Sequence, residues 1–215
     1  MSDGQRRLLI ATGSRHKFAE LRDVLDLPAS DLLSLDDVGL ADSATEDGAT
    51  FEDNARLKAI HYAHASGLPT LADDSGLEVD ALGGRPGVRT RRYAGPDATD
   101  PENNALLLTE LAALGIAPAH RTARYRCVLV LADDSGVLET THGTLEGRIS
   151  LAPRGTGGFG YDPIFEPLSE PVGGRTVGQL TPGEKNSMSH RAQAARAMRE
   201  LLMPAATREE GWMKK

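Results

Sequence analysis

The residues with the greatest chemical reach lie in one stretch, from Leu71 to Gly95. Two adjacent carboxylates, Asp73 and Asp74, follow a short apolar run and precede Ser75-Gly76; a Gly/Pro-rich segment then carries Arg85, Arg89, Arg91 and Arg92. Carboxylates hold Mg2+ and guanidinium groups hold phosphate oxygens, so the stretch reads as a place where a metal ion and a polyphosphate could meet. A simpler reading is a strand that ends at Ser75-Gly76 in an Asx-type turn. The letters Asp-Asp-Ser-Gly recur at residues 133–136 between two alternating apolar runs, where a hairpin turn accounts for them. The tetrapeptide alone therefore carries no function, and what surrounds the first copy has to decide.

Three further clusters bear on that decision. Thr12-Gly13-Ser14 interrupts the apolar run Leu8 to Ala11 ahead of a helical pattern, so that free N–H groups at a helix start face whatever lies beyond the strand end. Lys17 falls in the first turn of that helix, where a cation opposes the helix dipole unless an anion lies nearby. The spacing is not that of a Walker A loop. Gly155, Gly157, Gly158 and Gly160 alternate with Phe159, Tyr161 and Asp162, a composition that lets backbone approach a ligand while an aromatic ring offers a flat face. His190 and Arg191 open the last helical pattern, again against the dipole, which points to an anionic or carbonyl-rich neighbour.

The elements that must position these residues read as α/β. A strand at 8–11 leads to a helix with Phe18, Leu21, Val24 and Leu25 on one face, then an acidic, loop-rich segment at 28–49. A capping box from Thr50 to Asp53 opens a helix that runs to about Ser66, and a strand at 70–72 follows. A second box, Thr99 to Glu102, opens a helix closed by Gly115; alternating residues at 123–131 and 137–149 form a hairpin; the segment from Glu184 introduces a last helix with His190 and Arg191 in its first turn. This order of elements favours an α/β architecture.

Composition narrows the function classes. The 215 residues carry 24 Lys plus Arg against 31 Asp plus Glu, a formal net charge of -7, which rules out a broad cationic face for nucleic acid. An anionic ligand would need a local basic pocket instead. The single cysteine, Cys127, sits in an apolar alternating run and reads as core filler. No run approaches a membrane span, and the polar start from Met1 to Arg7 leads into too few apolar residues for a signal peptide, so a soluble cytoplasmic protein is expected. A single two-lobed domain over 1–203 and a frayed tail at 204–215 complete the expectation.

With these pieces in order, the chain resembles the Ham1-like inosine triphosphate pyrophosphatase family. The resemblance rests on Ala11-Thr12-Gly13 through Lys17, Thr50-Phe51 through Asn54-Ala55 with Lys58-Ala59, Ala72 to Gly76, Leu82-Gly83-Gly84 through Pro86-Gly87, Arg92-Tyr93 with Gly95, Gly157 to Phe165, and Glu184-Lys185 with Ser189-His190-Arg191. It covers about residues 7 to 202. The resemblance implies an elongated mixed sheet flanked by helices, with two lobes around a deep cleft, usually in a homodimer. It also implies Mg2+-dependent cleavage of noncanonical purine nucleoside triphosphates, ITP, dITP and XTP, to a monophosphate and pyrophosphate. The implied phosphate-binding turn is Thr12, Gly13, Ser14 and Lys17. Asp74 is the implied catalytic residue, with Ser75 beside it. Phe159, Gly160, Tyr161 and Asp162 form the base loop, and Lys185, His190 and Arg191 make the remaining substrate contacts. Asp74 and Glu46 are the expected metal carboxylates, with Asp73 as the other candidate. Ser14 departs from the usual Asn, and Thr45 stands where some members carry Glu. Two competing readings are a pyrophosphatase for other modified nucleotides and a nucleotide-binding regulator in which Ser14 has removed catalysis.

Overall fold

The computed structural model describes residues 7–41 and 44–203, so the expected tail at 204–215 lies outside the described residues. Six strands form one mixed sheet in the order β2-β1-β3-β4-β5-β6. They are β1 (Leu8–Ala11), β2 (Leu32–Leu33), β3 (Thr70–Val79), β4 (Thr122–Asp133), β5 (Gly136–Ile149) and β6 (Phe165–Pro167). β2, β1 and β3 run parallel, and β3 to β6 pair antiparallel. The helices are α1 (Arg15–Leu25), α2 (Phe51–Ser66), α3 (Asp100–Ala113), α4 (Pro182–Met188) and α5 (His190–Leu202).

Both expected capping boxes form, at Thr50/Asp53 on α2 and Thr99/Glu102 on α3. Each satisfies two N–H groups that a helix start would otherwise leave unpaired. The two sheet faces are covered by different helices. Leu21 and Leu25 of α1, with Ala194, Ala195 and Met198 of α5, bury Ile10, Leu71, Cys127, Leu129 and Leu131. On the other face Phe51, Ala55, Ala59 and Tyr62 of α2 bury Leu9, Ala11, Ala72, Val128 and Val130. Cys127 is the core filler it was expected to be, and burial pushes its thiol up to about 12. Leu107 and Leu111 of α3 close the far end over Leu77, Tyr125, Ile164 and Phe165.

Four local expectations need correction. β3 does not end at Ser75-Gly76 but continues to Val79, because β4 pairs with it from Thr70 through Val79. Gly76 is needed there for space, since a Cβ would lie 2.4 Å from Thr90 Oγ1 and 2.8 Å from the Gly87 carbonyl. The acidic segment at 28–49 contains the short strand β2, and the chain after the glycine loop forms β6. The segment from Glu184 that leads into the last helix is itself helical, as α4, and the expected helix follows as α5 with His190 and Arg191 in its first turn. Ser189 separates the two with an extended backbone (φ -63°, ψ 154°), then caps α5 by accepting the Ala192 N–H at 3.2 Å. The hairpin turn at Asp134-Ser135 forms as read.

One glycine sets how closely α5 approaches the sheet. A Cβ on Gly143 of β5 would lie 1.9 Å from the His190 carbonyl and 2.8 Å from the Ala194 nitrogen, both backbone atoms that cannot swing aside. Gly143→Ala is expected to cost about 3 kcal/mol by overpacking. A thermal melt should then show Tm lowered by roughly 6–12 °C; an unchanged Tm would mean that α5 shifts freely.

Candidate active site

β1 stops at Ala11, paired with Ala72, while β3 runs on. From Asp73 onward β3 therefore has its β4 partner on one side and no β1 on the other. Successive strand residues point to opposite faces, so the adjacent carboxylates part company here. Asp73 turns to the face of α1 and α5, where Lys17 Nζ lies 2.9 Å and Arg191 Nε 3.4 Å from its Oδ2. Asp74 turns to the face of α2, where Asn54 Nδ2 donates to it at 3.1 Å and Lys58 Nζ lies 3.6 Å away. Off the end of β1 a cavity of about 650 Å³ opens, and every substrate, catalytic and metal residue named from the sequence lines it. Asp73 does not line it.

The anions that the first-turn cations called for are the protein's own. Lys17 has Asp73, and Arg191, buried at the start of α5, is held by Asp73, by Glu20 of α1 and by Ser75 Oγ at 2.8 Å. Lys185 bridges Asp162 at 2.6 Å and Glu20 at 2.8 Å. Burial opposes the charge on Asp73, but Lys17, Arg191 and Lys58 together overcome it and hold the carboxyl below the usual range. Burial also opposes charge on Glu20, and Arg191 with Lys185 holds it ionised. Asp74 goes the other way. Burial, aided by Glu46, lifts its carboxyl above the ordinary value against the pull of Lys58 and Lys17.

In the phosphate turn, Ser14 caps α1, its Oγ accepting the Lys17 N–H at 3.4 Å, while Thr12 Oγ1 accepts the Ser14 N–H at 3.2 Å. Gly13 is exposed on the turn. In the glycine loop, Asp162 is buried and acts as the tie, accepting from the Phe159 N–H at 2.9 Å, from Tyr125 at 3.2 Å and from Lys185. Gly158 permits this, because a Cβ there would lie 2.0 Å from the Asp162 carboxylate. The Gly160 N–H donates to Asp100 at 2.7 Å, and the Tyr161 hydroxyl donates to the Thr90 carbonyl at 2.9 Å. Phe159 is left as the half-buried flat face. His16 stacks on it with ring centroids 5.3 Å apart and 14° between planes, and Lys185 Nζ lies 4.5 Å from its centre.

His190 is buried and stacked on Tyr125, with Nδ1 lacking a hydrogen-bond partner among the described residues. Burial, then Arg191 and Lys185, push its imidazole well below its ordinary value, so it is neutral. Of the metal candidates, Glu46 Oε1 lies 3.1 Å from the same Lys58 ammonium that faces Asp74, so both carboxylates converge on one point of the cavity wall. No cluster of three or more His, Cys, Asp or Glu suited to a metal exists among the described residues. No helix among them is long and apolar enough to cross a membrane.

Sequence reasoning gave no role to Glu20, His16, Asn54 or Lys58. The signals were present: Glu20 follows Lys17 by three residues on one helix face. Asn54 and Lys58 interrupt the apolar stripe of α2, where a polar residue needs a buried partner.

A mixed α/β sheet with a cation-lined cleft off the end of a parallel strand, an aromatic plate and a carboxylate with a raised pKa defines a protein built to hold and process a polyanion. Residues 8–201 match the Ham1 family, and the chain belongs to it. It is 46% identical to a dITP/XTP pyrophosphatase of Shigella flexneri over 92% of this chain and 98% of that one, and 48% identical to one of Mycobacterium leprae over 93% and 94%. Among solved structures it resembles a HAM1 protein from Coxiella burnetii with a TM-score of 0.81 and 39% identity, covering 91% of this chain and 98% of that one.

The neutral His190 gives a pH signature. Its folded pKa lies below its unfolded value of about 6.5, so its full contribution to stability is present above that pH. The contribution is lost as pH falls, because the unfolded chain gains a proton that the folded chain refuses. Urea unfolding between pH 7.5 and 5.5 should show wild type losing up to about 1.4 kcal/mol per pH unit from this group. His190→Gln should show a correspondingly shallower slope; equal slopes would mean that the folded protein protonates His190.

Proposed function

We propose that this protein hydrolyses noncanonical purine nucleoside triphosphates, ITP, dITP and XTP, to the nucleoside monophosphate and pyrophosphate. Its relatives in Shigella flexneri and Mycobacterium leprae are dITP/XTP pyrophosphatases, which supports this reading. The observation that carries it is Asp74: a cavity-facing carboxylate with a raised pKa, oriented by Asn54 and flanked by Lys58 and Glu46. Water attacks the α-phosphorus, the bond to the β-phosphate oxygen breaks, pyrophosphate leaves, and Asp74 accepts the water proton. A pKa above that of an ordinary aspartate makes Asp74 the stronger base.

Mg2+ takes one or two carboxylates and completes its shell with water and substrate phosphates, and Asp74 with Glu46 matches that donor set. When bound there, the ion neutralises phosphate charge and lowers the pKa of water. Thr12, Gly13, Ser14 and Lys17 face the phosphates, and Ser75 lies beside them. Phe159 stacks the base, once His16 yields its face. The loop N–H groups of Phe159 and Gly160 are engaged by Asp162 and Asp100, so the donors left for a 6-keto oxygen are Lys185 and the neutral His190. Tyr161, Asp162 and Arg191 serve by holding the loop and the cations in place. A 6-amino group would set donor against donor, a mismatch that discriminates strongly. In this reading the protein is a single two-lobed domain that works as a cytoplasmic homodimer.

Pyrophosphate release with Mg2+ tests the proposal. ITP, dITP and XTP are expected to be cleaved with kcat/KM at least about 100-fold above ATP, whose 6-amino group meets donors with donors. Asp74→Asn should lose about 100-fold to 10,000-fold in kcat. Cleavage of no triphosphate, or equal cleavage by the variant, refutes it. Glu46→Gln should shift the half-saturating Mg2+ concentration upward by at least about tenfold, in the range seen for weakened metal sites. No shift in a metal titration would remove Glu46 from the metal site.

A further inference from the structure

A cavity that takes a triphosphate has to attract one, and most of its cations are already committed. Lys17, Lys58, Lys185 and Arg191 are all ion-paired, to Asp73, to Glu46 and Asp74, to Glu20 and Asp162, and to Glu20 and Asp73 respectively. Four cations against five carboxylates leave this inner set one charge negative. Asp100, also on the lining, takes it one further. Left so, the site would repel a polyphosphate. Three more arginines line the cavity, Arg15, Arg91 and Arg92, and none has a carboxylate within ion-pair distance among the described residues. Their charges turn the sum positive.

Arg91 and Arg92 are set apart by where they stand. Both belong to the turn Gly87–Arg92, which is fixed at several points. Thr90 Oγ1 donates to the Gly87 carbonyl at 2.7 Å and accepts the Leu77 N–H at 2.9 Å. Asn103 Nδ2 donates to the Arg91 carbonyl at 3.0 Å, and Tyr161 donates to that of Thr90. The backbone is rigid while both guanidinium groups are exposed and uncommitted to any acid. Arg92 Nη2 reaches the Glu46 carbonyl at 3.4 Å, and the Glu46 carboxylate meets Asp74 through Lys58. Arg92 therefore stands on the side of the cavity that Glu46 and Asp74 share. Arg15 stands on α1 beside His16, which stacks on Phe159.

We infer that Arg91 and Arg92 form a clamp for the pyrophosphate half of the substrate, a second anion subsite beyond the turn at Thr12 to Lys17. This rests on the proposed reading that the cavity takes a nucleoside triphosphate. A rigid turn that carries two planar forks suits adjacent phosphates, which accept paired N–H groups. The buried cations keep the carboxylates ionised, and the clamp supplies the charge that draws the substrate in.

The test uses the full-length protein and two probes, inorganic pyrophosphate and IMP, whose binding is measured by calorimetry without metal. ITP turnover is measured separately with Mg2+. Arg91→Ala/Arg92→Ala should weaken pyrophosphate binding and raise KM for ITP by at least about tenfold each. IMP affinity should stay within about twofold, because it lacks the clamped phosphates. The slope of log affinity for pyrophosphate against log salt should fall, as contacts to phosphate are removed. Arg92→Lys, which keeps charge without the fork, should fall between wild type and the double variant. Unchanged pyrophosphate affinity, or equal weakening of pyrophosphate and IMP, overturns the clamp. The two readings fail separately: a wild type that cleaves no nucleotide refutes the activity, whereas the pyrophosphate measurement judges the clamp without turnover.

Discussion

The site depends on where one strand stops. β1 ends at Ala11 and β3 continues alone on that side, so a sheet otherwise covered by helices has an open margin beside Asp73 and Asp74. Strand alternation then does what no loop could do as rigidly. It sends one carboxylate into the α1/α5 layer and its neighbour into the α2 layer, and ten paired residues of β4 hold both in register. Two identical side chains, adjacent in sequence, thus acquire opposite electrostatic environments. Asp73 is buried among cations and stays ionised; Asp74 faces the cavity with a raised pKa.

The price of this arrangement is a dense network of buried charge. Glu20 is shared by Lys185 and Arg191, Asp73 by Lys17 and Arg191, and Asp162 ties the glycine loop to Lys185. Buried ion pairs of this kind contribute little net stability, because desolvation offsets their attraction, but removal of one member is expensive. Their value lies in orientation: Asp162 accepts from the Phe159 N–H, from Lys185 and from Tyr125, the ring on which His190 stacks, so groups from separate segments are held around one carboxylate. Preorganised dipoles and charges of that sort need not rearrange when charge develops on a substrate.

Much of the frame was legible from sequence, because its signals are local. The capping boxes at Thr50 and Thr99, the apolar stripe of α2 and the hairpin at 133–136 each declare themselves within a few residues. β2 and β6 span two and three residues and offer no periodicity to read. Ser75-Gly76 read as a break, since both residues favour turns, and only pairing with β4 keeps them extended. Ser189 ends one helix and caps the next, a dual role that a helical pattern conceals. The residues that line the cavity were found by resemblance. What holds them was not visible, because Arg191 and Asp73 are 118 positions apart.

That separation has a consequence for how the chain acquires its site. Asp73 is placed by β4, and the cations that neutralise Glu20, Asp73 and Asp162 include two from α4 and α5, at the end of the described chain. Until those helices dock, Asp73 has Lys17 but not Arg191, Glu20 and Asp162 lack their cations, and the sheet face that α5 covers stays open to water. Contacts of such long range form late, after loop-closure entropy has been met. The sheet and its α2 face can assemble from earlier segments, so the cavity is completed as α5 seats against Gly143. During synthesis the site would therefore become competent only once α4 and α5 have left the ribosome, after the sheet and its α2 face can already have formed.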